Sequence, residues 1–425
     1  MNDFIDFISF KNPTVQVVVL GTVLIAACSA MVGTYTYLRK RTLVGDAVAH
    51  AIFPGICLGF MLSGSKNPLY LLIGAIIVGW IALLLMDALV AKTKLKTDTA
   101  LAYILTFFFG IGSVLMSYIQ KSGNASQSGL NDFLFGKAAN MVLADLYVFG
   151  VTSILLLFMV LVFFKQFKLI SFNPEFAASI GLNVKSYNFL LTTMTVVAVS
   201  IGIQAVGVVL MSALLITPAT TARLWTHKLS KLMLLAGLFG ALAGILGAYV
   251  SFTATNMPTG PWFVVFLTCF AVISIFFAPK SGLISRYQLQ ITNKRKINQE
   301  NILKVTFQLK EKGLTRVTRE DYVKKRGFVT RNLELGIKRL KRKGLLEEEN
   351  NYIQLTIQGE TEAKRVVRLH RLWELYLTKR MNFKEDHIHG GAETIEHIIT
   401  PELEKELLTE LDYPTLDPHK SNIPY

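Results

Sequence analysis

The chain has 425 residues, 52% of them hydrophobic and only 17% charged; soluble globular proteins carry about a quarter of their residues as charges, so a wholly soluble globule is excluded. Residues 1–283 hold 17 Lys and Arg against 8 Asp and Glu, whereas 284–425 hold 27 against 21, a partition that points to two parts in different solvents. Both parts are net basic, by +9 and +6, which suits an anionic membrane surface or a nucleic acid and does not choose between them.

Apolar stretches long enough to cross a hydrocarbon core, about 20 residues each, run near 14–38, 45–63, 69–91, 98–120, 141–164, 186–203, 205–222, 231–252 and 261–279. They predict eight to nine transmembrane helices, the sixth and seventh forming a broken pair around Gly202 and Gly207. Asp3 and Asp6 precede the first run and no small-residue cleavage site follows it, so it is expected to stay in the membrane. Cys28, Cys57 and Cys269 all lie in apolar stretches and are expected to act as small hydrophobes. Thirteen Lys and Arg, among them Arg39, Arg41, Lys92, Lys185 and Lys280, fall in one set of loops, against Lys11, Lys66, Lys121 and Lys137 in the other. That bias predicts the first set, and everything after Lys280, to be cytoplasmic.

Between two spans, KQFKLISFNPEFAASIGLNVK at 165–185 is too polar to cross. Its signals are those of a short helix: Asn173 as cap, Pro174 at the first position, Glu175 in the first turn and Gly181 as the stop. Such a helix either lies among headgroups or docks into another protein, and composition leaves both open. The loop 121–140, rich in Ser, Gly and Asn, is expected to be an external, flexible connection.

Beyond Lys280 the pattern changes. NQENILKVTFQLKEK at 298–312 has helical spacing, 318–326 and 330–345 suggest two further short helices, and YIQLTIQ at 352–358 alternates as a strand does. Helix, helix, basic helix and strand-rich wing is the order of a winged helix-turn-helix. Residues from 359 onward return to helix.

Ionisable groups inside spans are costly and serve as functional candidates. Asp46, His50, Asp87 and Asp145 make up that set, the last two near span ends. Asp46 and His50 are one helical turn apart and share a face. Together an oxygen and a nitrogen donor suit manganese, zinc or iron; an Asp favoured by the helix dipole beside a His satisfied by a backbone carbonyl fits the spacing equally. In the last third, His370 and Glu374 are likewise one turn apart, and HIHGGAETIEHII at 387–399 offers His389, Glu393, Glu396 and His397. A solvated, charge-rich helix is the alternative there.

The motif LRKRTLVGDAVAHAIFPGICLG at 38–59 closely resembles the signature of the permeases of manganese, zinc and iron ABC importers. NPEFAASIGL at 173–182 resembles that family's coupling-helix segment, QAVGVVLMSALLITPATTA at 204–222 its late apolar motif, and SFTATNMPTGPWFVV at 251–265 its final external turn. The resemblance covers residues 1–280. It implies Asp46 and His50 as metal ligands of the translocation pathway, and a dimer with a second copy or a sister permease. It further implies two ABC ATPase subunits docked through Pro174, Glu175, Ala178 and Gly181, and an external metal-binding lipoprotein. No G-x-x-x-x-G-K-S/T motif occurs in the chain, so ATP hydrolysis is expected in a separate subunit, and this chain is expected not to be an enzyme.

Residues 298–425 resemble the first two domains of the diphtheria-toxin-repressor and manganese-repressor family, through R-x-H-R-L-x-E around His370 and the tail YPTLDPHKSNIP at 413–424. That resemblance implies His370, Glu374 and His389 as one set of metal ligands, and Glu393, Glu396 and His397 as another, with Glu300 as an addition. Glu393 stands where manganese-type members carry Glu and iron-type members Cys, and a hard oxygen donor favours manganese. Leu303, by contrast, stands where manganese-type members place a second acidic ligand. Arg331, Lys338, Arg339, Lys341 and Arg342 lie on or beside the recognition-helix position, a footprint that suits phosphates of DNA or anionic lipid headgroups.

The sequence therefore predicts an all-α polytopic membrane protein over 1–283, a linker at 284–297, a cytoplasmic α+β winged-helix domain at 298–358 and a helical metal-sensing and dimerisation domain at 359–425. The expected function is a metal-importer permease in the cytoplasmic membrane, manganese first among divalent metals as substrate and regulator, without an organic cofactor. Its alternative is a membrane-tethered or proteolytically released metal-dependent transcription repressor fused to a zinc or iron importer permease.

Overall fold

A computed structural model describes residues 7, 9–65, 67–121, 136, 138, 141–208, 210–253, 257–314, 316–381, 397 and 399–425. The chain divides into two compact units, Met1–Ser285 and Arg286–Tyr425.

The first unit is all helix. Its elements are α1 (Pro13–Leu38), α2 (Val44–Ala51), α3 (Phe53–Ser63), α4 (Pro68–Lys92), α5 (Thr97–Lys121) and α6 (Leu143–Val162), followed by α7 (Phe164–Phe172), α8 (Pro174–Ser179), α9 (Val184–Val206), α10 (Met211–Trp225), α11 (Leu229–Thr253) and α12 (Thr259–Phe277). Among the described residues, eight helical stretches are long and apolar enough to span a membrane, α2 and α3 counting as one. Local chemistry starts several of them: Asn12 accepts from Thr14 N at 2.9 Å ahead of Pro13, and Asn67 from Leu69 N at 3.0 Å ahead of Pro68. Asp145, in the first turn of α6, accepts from Val142 N at 3.2 Å, so this buried carboxylate caps a helix start.

The sixth and seventh apolar stretches resolve unequally. α9 runs straight through Gly202 and stops at Gly207, whose φ of +89° a side chain disfavours. α10 has only 15 residues and Pro218 within it, so it is too short to cross alone, and the spans among the described residues number eight.

Backbones meet closely where Cβ atoms are missing. A Cβ on Gly33 would fall 1.9 Å from the carbonyl oxygen of Leu215, and one on Gly55 2.2 Å from that of Gly74, so α1 packs on α10 and α3 on α4 at near backbone contact. Outward faces remain apolar: Leu84, Phe107, Leu155 and Phe277 are each more than half exposed, as lipid-facing side chains are.

The second unit contains the rest of α13 (Leu283–Glu311), then α14 (Arg319–Arg326), α15 (Thr330–Arg342), β1 (Leu346–Glu349), β2 (Tyr352–Leu355), α16 (Ile357–Met381) and α17 (Pro401–Glu410). The stretch 284–297, expected as a linker, is helical and continuous with 298–311. No Pro or Gly interrupts it, so nothing stops propagation once the helix has started. β1 and β2 pair antiparallel from Leu346 opposite Leu355 to Glu349 opposite Tyr352. Asn350 and Asn351 turn the hairpin at φ +47° and +71°, the two left-handed residues that a tight primed turn requires. Val317 bridges Ile353 beside it, completing the wing. Ile302, Leu303, Tyr322, Leu333, Ile337, Leu340 and Ile353 form the core. Leu303, at the position of an acidic ligand in manganese-type repressors, is thus a core side chain.

Candidate metal sites

The first pair sits on α2, whose end is dictated by Pro54. Proline lacks an N–H for the carbonyl of His50 and its ring crowds that carbonyl, so the span breaks at Ile52 and restarts as α3. On α2, His50 Nε2 lies 3.8 Å from Asp46 Oδ1, the two side chains 19% and 37% exposed. Two donors at ordinary bond lengths around one ion stand about 3 Å apart when they subtend a right angle. A small side-chain rotation therefore brings this pair to chelating distance. His50 Nδ1 is buried and has no hydrogen-bond partner within the protein, so no backbone carbonyl satisfies this ring nitrogen. Phe109 of α5 packs edge-on against the imidazole at 5.1 Å and stacks on Phe53 at 5.8 Å. An aromatic residue in an apolar span carries no signal of such a role in sequence.

In the second unit, His370 Nε2 lies 3.0 Å from Glu374 Oε1, both side chains 3% exposed. A carboxylate and an imidazole removed from water at that spacing match two adjacent ligands of one ion. The structure also joins two residues 97 apart in sequence: His397 Nδ1 and Glu300 Oε2 are 2.6 Å apart. Lys296, one turn before Glu300, stands 3.6 Å from its carboxylate. His389, Glu393 and Glu396 lie outside the described residues. Among the described residues no cluster of three or more His, Cys, Asp or Glu forms, so each site appears as a pair.

Arg371, which sequence reasoning passed over although it lies inside R-x-H-R-L-x-E, anchors the tail beside His370. Its guanidinium meets Glu311 at 2.7 Å and Asp417 at 3.5 Å, and donates to the carbonyl of Asn422.

The helix expected to dock an ATPase forms as α8. Asn173 accepts from Phe176 N at 3.0 Å, Pro174 and Glu175 occupy the first turn, and Gly181 follows at φ +86°. Phe176 and Ile180 are exposed, an apolar ridge on a polar segment.

On α15, Arg331, Lys338, Lys341 and Arg342 are exposed and Arg339 half-buried, while Leu333, Gly336, Ile337 and Leu340 face the core. Lys341 is engaged with Glu348 of the wing at 2.8 Å. Arg319 joins the same carboxylate at 2.6 Å and also holds Glu334 and Asn351. Hydrogen bonds from Lys341 and Arg319 hold the Glu348 carboxyl below the usual carboxylate range. The Thr318 hydroxyl and N–H do the same for Asp321 at the start of α14.

Residues 11–278 match the profile of the ABC 3 transport family, and residues 356–425 that of the iron dependent repressor, metal binding and dimerisation domain. The manganese transport system membrane protein MntC of Bacillus subtilis is 36% identical over 376 residues, covering 88% of this chain and 86% of that protein. The zinc transport system membrane protein TroC of Treponema pallidum is 41% identical over 280 residues, 66% of this chain and 93% of that protein. Among solved structures, PsaBC from Streptococcus pneumoniae in complex with Fab superposes with a TM-score of 0.60 at 30% identity, covering 68% of this chain and 99% of that one. The chain therefore belongs to the ABC 3 transport family, as a multi-pass membrane permease that carries a repressor-type domain at its C-terminal end.

Proposed function

We propose that this chain is the permease subunit of an ATP-driven importer of divalent metal, with manganese the preferred substrate. The observation that carries the reading is the Asp46 and His50 pair on a short helix broken by Pro54, with one imidazole nitrogen left unpartnered. An external binding lipoprotein delivers the ion. Asp46 and His50 replace part of its water shell, and closure of two separate ATPase subunits, transmitted through α8, reopens the path inward. The chain itself performs no covalent chemistry. The manganese system named for MntC and the zinc system named for TroC both support a divalent substrate. A dimer with itself or a sister permease completes the pathway.

The second unit lies in the cytoplasm under this reading, as the excess of Lys and Arg in the matching loops supports. His370 and Glu374 hold a regulatory ion, with His389 as a further ligand; Glu393, Glu396, His397 and Glu300 make up the other set. A bound ion there neutralises buried carboxylate charge and couples internal metal to transport.

The test is manganese uptake in cells lacking their own importer, comparing the full chain, Asp46→Ala with His50→Ala, and a truncation ending at Ser285. Full transport by the double variant overturns the pathway ligands. Transport by the truncation without shutdown at high manganese supports feedback; an unchanged response removes it.

The exposed basic face of α15 supports a second reading, a metal-dependent DNA-binding repressor, tethered or released. Footprinting with the 285–425 fragment, with and without manganese, decides it: operator-specific, metal-dependent protection supports it, and salt-sensitive binding to any DNA leaves only charge.

A further inference from the structure

At one end of the bundle, where α1 ends, α4 nears its last turn and α9 begins, the first unit has an open cavity of about 260 Å³. Arg39, Arg41 and Lys185 line it, with Asp87 as the one carboxylate, so its wall carries an excess of two positive charges. Among the described residues no salt bridge within 4 Å engages these three cations, and the charge of Asp87 acts on Arg39. Trp80 Nε1 and Asn188 Oδ1, on residues that also line the cavity, are buried and have no hydrogen-bond partner within the protein. The remaining wall differs in kind. Leu84 and Phe189 line the same cavity and are 58% and 51% exposed, on spans whose outward faces are apolar.

A wall that joins three cations to exposed apolar side chains matches an amphiphile and not a small soluble ion. We propose that this cavity binds the phosphate headgroup of an anionic membrane phospholipid. Its phosphate oxygens accept hydrogen bonds from Arg39, Arg41, Lys185 and the Trp80 Nε1–H. A headgroup hydroxyl donates to Asn188 Oδ1, and the acyl chains run along Leu84 and Phe189. Arg41 is five residues before Asp46, so the headgroup also braces the turn from which α2 starts. The orientation proposed above enters only in naming the leaflet as the cytoplasmic one.

Native mass spectrometry of the purified full-length chain tests this, with phosphatidylglycerol, phosphatidylcholine and inorganic phosphate as probes. The wild-type chain is expected to hold phosphatidylglycerol at least about tenfold more tightly than phosphatidylcholine, because each cation near an anionic lipid contributes a several-fold preference. Arg41→Gln with Lys185→Gln is expected to abolish that preference, while Lys40→Gln, on an exposed neighbour, retains it. Equal affinity of the wild type for the two lipids overturns the proposal without reference to any variant. So does an undiminished preference in a double variant that melts as the wild type does. Displacement of the lipid by millimolar inorganic phosphate overturns a lipid as the source of the phosphate. Lipid preference is read without transport, so loss of the importer reading by the uptake assay leaves this result standing.

Discussion

His370 Nε2 and Glu374 Oε1 lie 3.0 Å apart with 3% of each side chain exposed, whereas Asp46 and His50, at the same i, i+4 spacing, stand 3.8 Å apart and remain partly accessible. One spacing thus yields two environments. A buried pair at chelating distance suits an ion that stays; a looser, accessible pair suits one that passes through.

Glu374→Gln removes the charge but keeps the shape of that buried pair. Manganese is expected to stabilise the second unit in the wild-type chain by about 2.7 kcal/mol at a hundredfold excess over Kd, and so to raise its thermal midpoint. The variant should lose most of this stabilisation. Differential scanning calorimetry of the full chain with and without manganese measures both, and an equal shift in the variant removes Glu374 as a ligand.

Asp46→Ala and His50→Ala are each expected to lower manganese uptake by about tenfold or more, since either leaves one side-chain donor of the pair. Phe109→Ala should loosen the imidazole and lower uptake less, by several-fold, with expression unchanged. Radioactive manganese uptake at matched membrane levels distinguishes the three.

Gly181 sits at φ +86°, so Gly181→Leu forces a branched side chain into the left-handed region at about 1–2 kcal/mol. Asn173→Ala removes the cap on Phe176 N, at about 1 kcal/mol. Both variants are expected to lower co-purification of an ATPase subunit while the membrane bundle still assembles. Retention of the ATPase at wild-type levels in both would show that α8 is not its dock.

Glu348 makes the wing sensitive to acid. Its carboxyl titrates below the ordinary glutamate value when folded, so its stabilisation is present above the unfolded value of about 4.3. That contribution is lost as pH falls through the folded value. Glu348→Gln is expected to cost about 1 kcal/mol at neutral pH and to flatten the loss of stability below pH 5. Thermal unfolding of the 286–425 fragment from pH 3 to 7 checks the slope.

At Gly33 and Gly55 even Ala should fail, because its Cβ would enter a carbonyl oxygen of the neighbouring helix. Loss of more than about 3 kcal/mol is expected, read as reduced accumulation in the membrane fraction. Gly110, where a Cβ meets nothing within 4 Å, serves as the tolerant control.

Much of this protein is legible in its residues alone. Runs of about 20 apolar side chains announce spans because a backbone in hydrocarbon must satisfy its own hydrogen bonds. Asn173, Pro174 and Gly181 announce α8 because caps and stops are local. The i, i+4 spacing places Asp46 beside His50 and His370 beside Glu374 on helix geometry alone.

Contacts distant in sequence needed the folded chain. Glu300 meets His397 across 97 residues, Phe109 covers His50 from another span, and Arg39, Arg41 and Lys185 gather around one cavity. Nor does residue type show that Leu303 faces a core, that 284–297 continues a helix, or that α10 is too short to span. Local sequence sets which helices form and what each face offers; only tertiary packing sets which faces meet, because that choice depends on the shape of every neighbour at once.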